Sequence, residues 1–157
     1  MKKILTIFIY FFSINQVIAD SQSISEDFGD WQFFCSEENS CEIRQIMIDE
    51  ETNDLVSFIS LTLNPENNIQ LLLGLPHLIN LKIASKVTID NNPSIDVPYT
   101  YCNLNGCFIA EVISKEYINL MKQGAKMTFE SFFINNDPYK IVYSLKGFTS
   151  SYDRLVN

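Results

Sequence analysis

The sequence predicts an all-β fold, an antiparallel β-sandwich with one short helix near residues 114–123 and a short helix or turn at 149–155. Three observations predict it. Apolar and polar residues alternate with a period of two in several short runs, Asn-, Pro- and Gly-bearing turns separate the runs, and four cysteines fall in two close pairs. The 157 residues are 46% hydrophobic and 19% charged. That suffices for one packed domain and has few of the long apolar runs a polytopic membrane protein needs.

The chain opens with Met1-Lys2-Lys3, a nearly unbroken apolar run over 4–14, and Val17-Ile18-Ala19 ending on a small residue. This predicts a secretory signal peptide over 1–19, cut after Ala19. A retained anchor fits less well, because a span needs ~20 apolar residues and Asn15-Gln16 interrupts the run. Residues 20–27 are polar and predict a flexible lead-in, and 28–157 a single sandwich domain. Losing Lys2 and Lys3 turns a net charge of −8 into −10, with nine basic against 19 acidic residues. Such acidity excludes nucleic acid as a natural partner, since phosphate binding depends on clustered Lys and Arg. It also disfavours anionic lipid surfaces.

Strands are expected at 31–34, 42–48, 56–63, 69–73 and 86–90. Ile95, Val97, Tyr99 and Tyr101 alternate with Ser94, Asp96, Pro98 and Thr100, which predicts one half-buried strand. Met127, Phe129 and Phe133 alternate with polar residues in the same way, as do Tyr139, Ile141, Tyr143 and Leu145. Asn135-Asn136-Asp137-Pro138 between them predicts a β-hairpin. Ser114 as N-cap, an apolar stripe of Tyr117, Ile118 and Met121, and Gly124 at the C-cap predict the helix.

An even cysteine count in an exported chain reads first as disulfides. Of the three pairings, Cys35 with Cys41 and Cys102 with Cys107 is preferred because each pair flanks a turn. Loops this short contribute about 2 kcal/mol each in the chain-entropy model, so they would be hairpin clamps. A shared zinc site or a redox pair is disfavoured by the spacing and by the lack of C-x-x-C.

Catalytic motifs are missing: there is no G-x-S-x-G, H-E-x-x-H or Gly-rich phosphate loop, and no cofactor motif. His77, the single histidine, follows Pro76 in a loop and would need a carboxylate to act as a base. Glu37-Glu38 and Asp49-Glu50-Glu51 lack the alternating ligands of a calcium loop and read as solvated turns. The aromatics, 13% of the chain, fall mostly on the buried phase of their strands. Only Phe132, out of phase, is expected as an exposed ring.

Phe28-Gly29-Asp30-Trp31 leading to Cys35 and Cys41, the central Leu75-Pro76, Tyr101-Cys102 with Gly106-Cys107, Gly124 after a helix, and Lys146-Gly147-Phe148-Thr149 resemble, in this order, the invasion-associated locus B family. The resemblance covers nearly the whole mature chain. It implies a small exported β-sandwich of the Gram-negative periplasm or envelope, associated in pathogens with host-cell entry, with the four cysteines paired and no catalytic residues. Two departures stand out. His77-Leu78-Ile79-Asn80 replaces a glycine-bearing segment, with Asn80 expected at the turn position, and Ser150-Ser151 replace small alanines.

The reading that follows is a non-enzymatic exported protein without cofactor or metal, acting on an envelope or host-surface protein. A periplasmic hydrolase or small-ligand binder using the 75–80 loop would require a deep pocket joining His77 to a buried carboxylate. An envelope assembly chaperone would require an open strand edge.

Overall fold

Period-two alternation delivers two antiparallel sheets, each burying one face against the other. The computed structural model describes residues 23–38 and 40–157, so the expected signal peptide and its cut lie outside the described residues. In chain order the elements are β1 (Ile24–Phe28), β2 (Trp31–Cys35), β3 (Cys41–Ile48), β4 (Leu55–Leu63), β5 (Ile69–Leu75), β6 (Ser85–Ile89), β7 (Ile95–Val97), β8 (Tyr101–Asn103), β9 (Gly106–Val112), α1 (Lys115–Gln123), β10 (Lys126–Phe132), β11 (Pro138–Ser144) and α2 (Phe148–Val156). One sheet runs β1-β2-β3-β4-β5-β9-β8 and the other β11-β10-β6-β7.

Ile43, Ile59, Leu61 and Leu73 from the larger sheet and Met127 and Tyr143 from the smaller are fully buried. Each such side chain contributes about 1.5–3 kcal/mol by leaving water. Polar links lock the sheets in register. The hydroxyls of Ser57 and Tyr143 bond across the interface, and Ser57 Oγ also donates to Gly74 O at 2.6 Å.

Four strands cannot cover seven, and α2 covers part of the excess. Phe148 is buried edge-on against Trp31 with ring centroids 5.1 Å apart, and Trp31 Nε1 donates to Ser144 O at 2.8 Å. Arg154 of α2 lies over the Phe33 ring at 4.3 Å and pairs with Glu26 at 2.9 Å. Ser151, where the resemblance leads to an alanine, is buried in α2, and its hydroxyl donates to Phe148 O at 3.0 Å.

The chain ends of the domain meet here as well. Asp30 N donates to Lys146 O at 3.0 Å, while Gly29 and Gly147 take φ of +63° and +90°. A Cβ at Gly147 would collide with Phe28 O, and one at Gly29 would stand 2.7 Å from Lys146 O. The Gly-Asp-Trp and Lys-Gly-Phe-Thr segments, with Gly29 and Gly147 118 positions apart in the chain, therefore form one backbone clasp that only glycine permits.

The expected helix is present with its expected cap. Ser114 Oγ accepts from Tyr117 N at 3.3 Å, and Ile118 and Met121 are buried. Gly124 ends it for reasons of space, because a Cβ there would come within 2.7 Å of Ile89 Cγ2 and 2.9 Å of Leu145 Cδ1. The C-terminal helix also forms, starting at Phe148 and ending at Val156.

Two expectations need correction. Residues 24–27, expected within a flexible lead-in, belong to edge strand β1, held by pairing with β2 and by the Glu26–Arg154 ion pair. The single strand expected over 94–101 is two strands in different sheets: β7 pairs with β6, and β8 pairs with β9. Pro98 stands between them, and without an N–H it cannot continue a ladder.

Candidate functional site

Both cysteine pairs sit where strand pairing puts two residues face to face. Cys35 is opposite Cys41 in the β2–β3 hairpin and Cys102 opposite Cys107 in β8–β9, with Cα atoms 4.1 and 4.0 Å apart and the sulfurs at disulfide distance. Such close facing pairs suit a cross-strand bridge. The second pair closes the turn that carries Leu104.

His77 is exposed, and its Nε2 lies 3.0 Å from Leu104 O. A carbonyl only accepts, so Nε2 carries the proton and His77 ties its loop to the β8–β9 turn. No hydrogen bond or ion pair joins it to a carboxylate, and every buried polar residue among those described is a serine or a threonine. The geometry that a His77 hydrolase would need is therefore not assembled among the described residues. Asp49 shows what the acidic turns do: its Oδ1 accepts from Glu51 N and Thr52 N at 2.9 Å. Those bonds, Thr52's first, hold its carboxyl below the usual carboxylate range.

The loop after β5 departs from expectation in an informative way. Leu78, not Asn80, takes the left-handed backbone, with φ of +66°. Asn80 instead bonds outward: its N donates to Phe132 O at 2.7 Å, and its Oδ1 accepts from Lys82 N at 3.2 Å. Leu78 O accepts from Ile134 N at 2.8 Å, and Ile79 bridges Phe133. A leucine at positive φ is strained by about 1–2 kcal/mol.

Three neighbouring loops and the first residue of β4 thus each hold an aliphatic side chain out to solvent at one end of the sandwich. Leu55 is 59% exposed, Leu78 65%, Leu104 95% and Ile134 63%. Register places them together, since Phe58 opposes Gly74, Leu75 opposes Cys107, and His77 and Ile134 bond the neighbouring loops. The signal available in the sequence was a single apolar residue lodged in a polar turn, as in Asn103-Leu104-Asn105 and Ile134-Asn135.

An aromatic row leads to this end across the outer face of the larger sheet. Phe58 and Phe108 have centroids 6.3 Å apart, and Phe108 stacks on Tyr101 at 4.8 Å. Gly74 makes room for it, because a Cβ there would collide with Phe58 Cε1. The expectation that Phe132 is the exposed ring fails: it is half-buried, whereas Tyr101 is the ring on the open face. Phe58 and Phe108 alternate in phase too, but their phase points away from the core.

The solved structure of invasion associated protein B from Bartonella henselae is similar to this chain, with a TM-score of 0.77 at 21% identity, covering 85% of this chain and 96% of that one. The likeness supports the sandwich fold. No curated protein matches the chain. The family model for invasion associated locus B (IalB) protein matches residues 31–156, a span running from Trp31 of the clasp to Val156 of α2. The chain belongs to the invasion associated locus B family.

Proposed function

We propose that the protein is an exported, non-enzymatic envelope protein that works by binding another protein through the loop end carrying Leu55, Leu78, Leu104 and Ile134. The observation behind this is that cluster of exposed aliphatics. Folding does not require three loops and a strand end each to project an apolar residue into water, and clustered exposed apolar residues are the usual mark of a docking surface. Strain at Leu78 fits the same reading, since strained backbone gathers at binding sites. The cysteine spacing and the family support an extracytoplasmic setting, in which both cysteine pairs are oxidised and the domain begins after cleavage at Ala19. Among the described residues no helix is long and apolar enough to cross a membrane. The partner is an envelope or host-surface protein.

The test is cross-linking and capture from intact envelope with wild type and with Leu104→Asp/Ile134→Asp, a variant whose substitutions are on exposed turns and leave the core untouched. The expected result is one specific captured protein, lost with the double variant while circular dichroism is unchanged. Equal capture by both proteins would refute the assignment to this end. So would a substrate turnover abolished by His77→Ala. Non-reducing peptide mapping checks the bridges, and a Cys35–Cys107 peptide would overturn the local pairing.

A further inference from the structure

A second feature lies on the flank where β7 and β8 are the edge strands. Here a cavity of about 410 Å³ opens between the two sheets, below the N-terminus of α1. Its size falls within the range of small-ligand sites, ~300–1,000 Å³. The floor is core: Leu71 and Ile109 from the larger sheet, Val87 and Phe129 from the smaller. It exists because β7 has three residues and ends before Pro98, so the smaller sheet stops short of covering β9.

The mouth combines apolar and acidic groups. Ile95 and Val112 are exposed there, 46% and 57%, and Asp96 and Glu111 stand beside them, with no basic residue lining the cavity. Asp96 reaches Lys86 at 3.5 Å, whereas the Glu111 side chain has no hydrogen bond or ion pair among the described residues. Tyr117 lines the same space, and burial pushes its phenol up to about 12. Burial at the cavity wall disfavours a charged phenol, and a wall that excludes water strengthens an ion pair made against it.

We propose that this cavity binds a small amphipathic cation, its apolar chain seated between the sheets and its ammonium group at Glu111. Charge selects the occupant. An apolar floor accepts any short hydrocarbon, while the unpaired carboxylate at the mouth favours a cationic head and repels an anionic one. This site is separate from the loop end, and neither reading depends on the other.

Three probes of one chain length test it: octylammonium, 1-octanol and octanoate, titrated into the 15N-labelled protein and followed by amide shifts. Octylammonium is expected to shift Ile95, Glu111 and Tyr117 and to bind at least about tenfold more tightly than octanoate, the ratio one charged hydrogen bond supplies. Glu111→Gln should bring octylammonium down to the level of octanol and leave octanol unchanged. Val112→Lys, at an exposed position, should weaken octylammonium in the same selective way. Equal binding of the two ions, a preference that survives Glu111→Gln, shifts elsewhere, or no binding by any probe would each overturn the proposal.

Discussion

The two flanks of the sandwich solve the same mismatch, seven strands facing four, in opposite ways. On the β1–β3 flank the uncovered strands receive α2, and side chains stitch the remaining seam. Gln45 donates to Asp30 O at 2.8 Å and accepts from Ser144 N at 3.1 Å, Trp31 bonds Ser144 O, and Gly29 and Gly147 bring two backbones into contact. On the β7–β9 flank only the N-terminal end of α1 reaches the gap, and the cavity remains. The difference teaches where stability and binding are placed. The α2-covered flank packs large rings against one another, whereas the open flank keeps apolar wall accessible beside an unpaired carboxylate.

Core truncation is the strongest way to break that comparison. Trp31→Ala removes the ring packed on Phe148 and the indole donor to Ser144, and should cost about 4 kcal/mol in denaturant unfolding. Val87→Ala, in the cavity wall, removes two methyl groups from a site already lacking neighbours on one side, and should cost about 1.5 kcal/mol. Equal losses in the two variants would mean that the ring seam on the α2 flank holds the fold no more firmly than the cavity wall does.

Much of the fold could be read from the residues because local pattern and tertiary role agree. Ser114, the Tyr117-Ile118-Met121 stripe and Gly124 announce α1, and the alternation on both sides of Asn135-Asn136-Asp137-Pro138 announces the β10–β11 hairpin. The failures come where pattern and role part. Ile24-Ser25-Glu26-Asp27-Phe28 has no buried phase of its own, and it becomes a strand because β2 and α2 offer it partners. Ile95 to Tyr101 keeps a flawless alternation across a change of sheet, which only Pro98 betrays. Of the candidate site residues, the cysteine pairs were visible through spacing. The cavity was not, since it is made by what a three-residue strand fails to cover.

Alkaline titration sharpens the contrast more gently. The Tyr117 phenol ordinarily titrates at 10.0 and here at about 12, the cause being desolvation. Between those values the unfolded chain has given up a proton that the folded chain keeps, so stability falls as pH rises from 10 to 12 and is unaffected below. Tyr143, buried in the core between the sheets and also raised by desolvation, adds to the same fall. Tyr117→Phe should therefore flatten part of the decline in unfolding midpoint across that window and leave the midpoint at pH 7 nearly unchanged. An identical decline in the variant would mean that the cavity mouth solvates Tyr117 as water does.

The smallest expected effect concerns how each region treats a left-handed backbone. The clasp on the α2 flank puts glycine at both such positions, Gly29 and Gly147, whereas the loop end puts Leu78 at φ +66° with most of its side chain in water. Relieving the leucine strain contributes about 1–2 kcal/mol, and the extra freedom of glycine in the unfolded chain offsets about 0.5–1. Leu78→Gly should then stabilise the protein by roughly 0.5–1 kcal/mol, read as a higher denaturant midpoint at unchanged slope. The same change should weaken capture of the envelope partner, because the side chain that the strained backbone holds outward is gone. A variant that is less stable would mean that Leu78 packs for the fold. A more stable variant with undiminished capture would mean that the strain serves no contact.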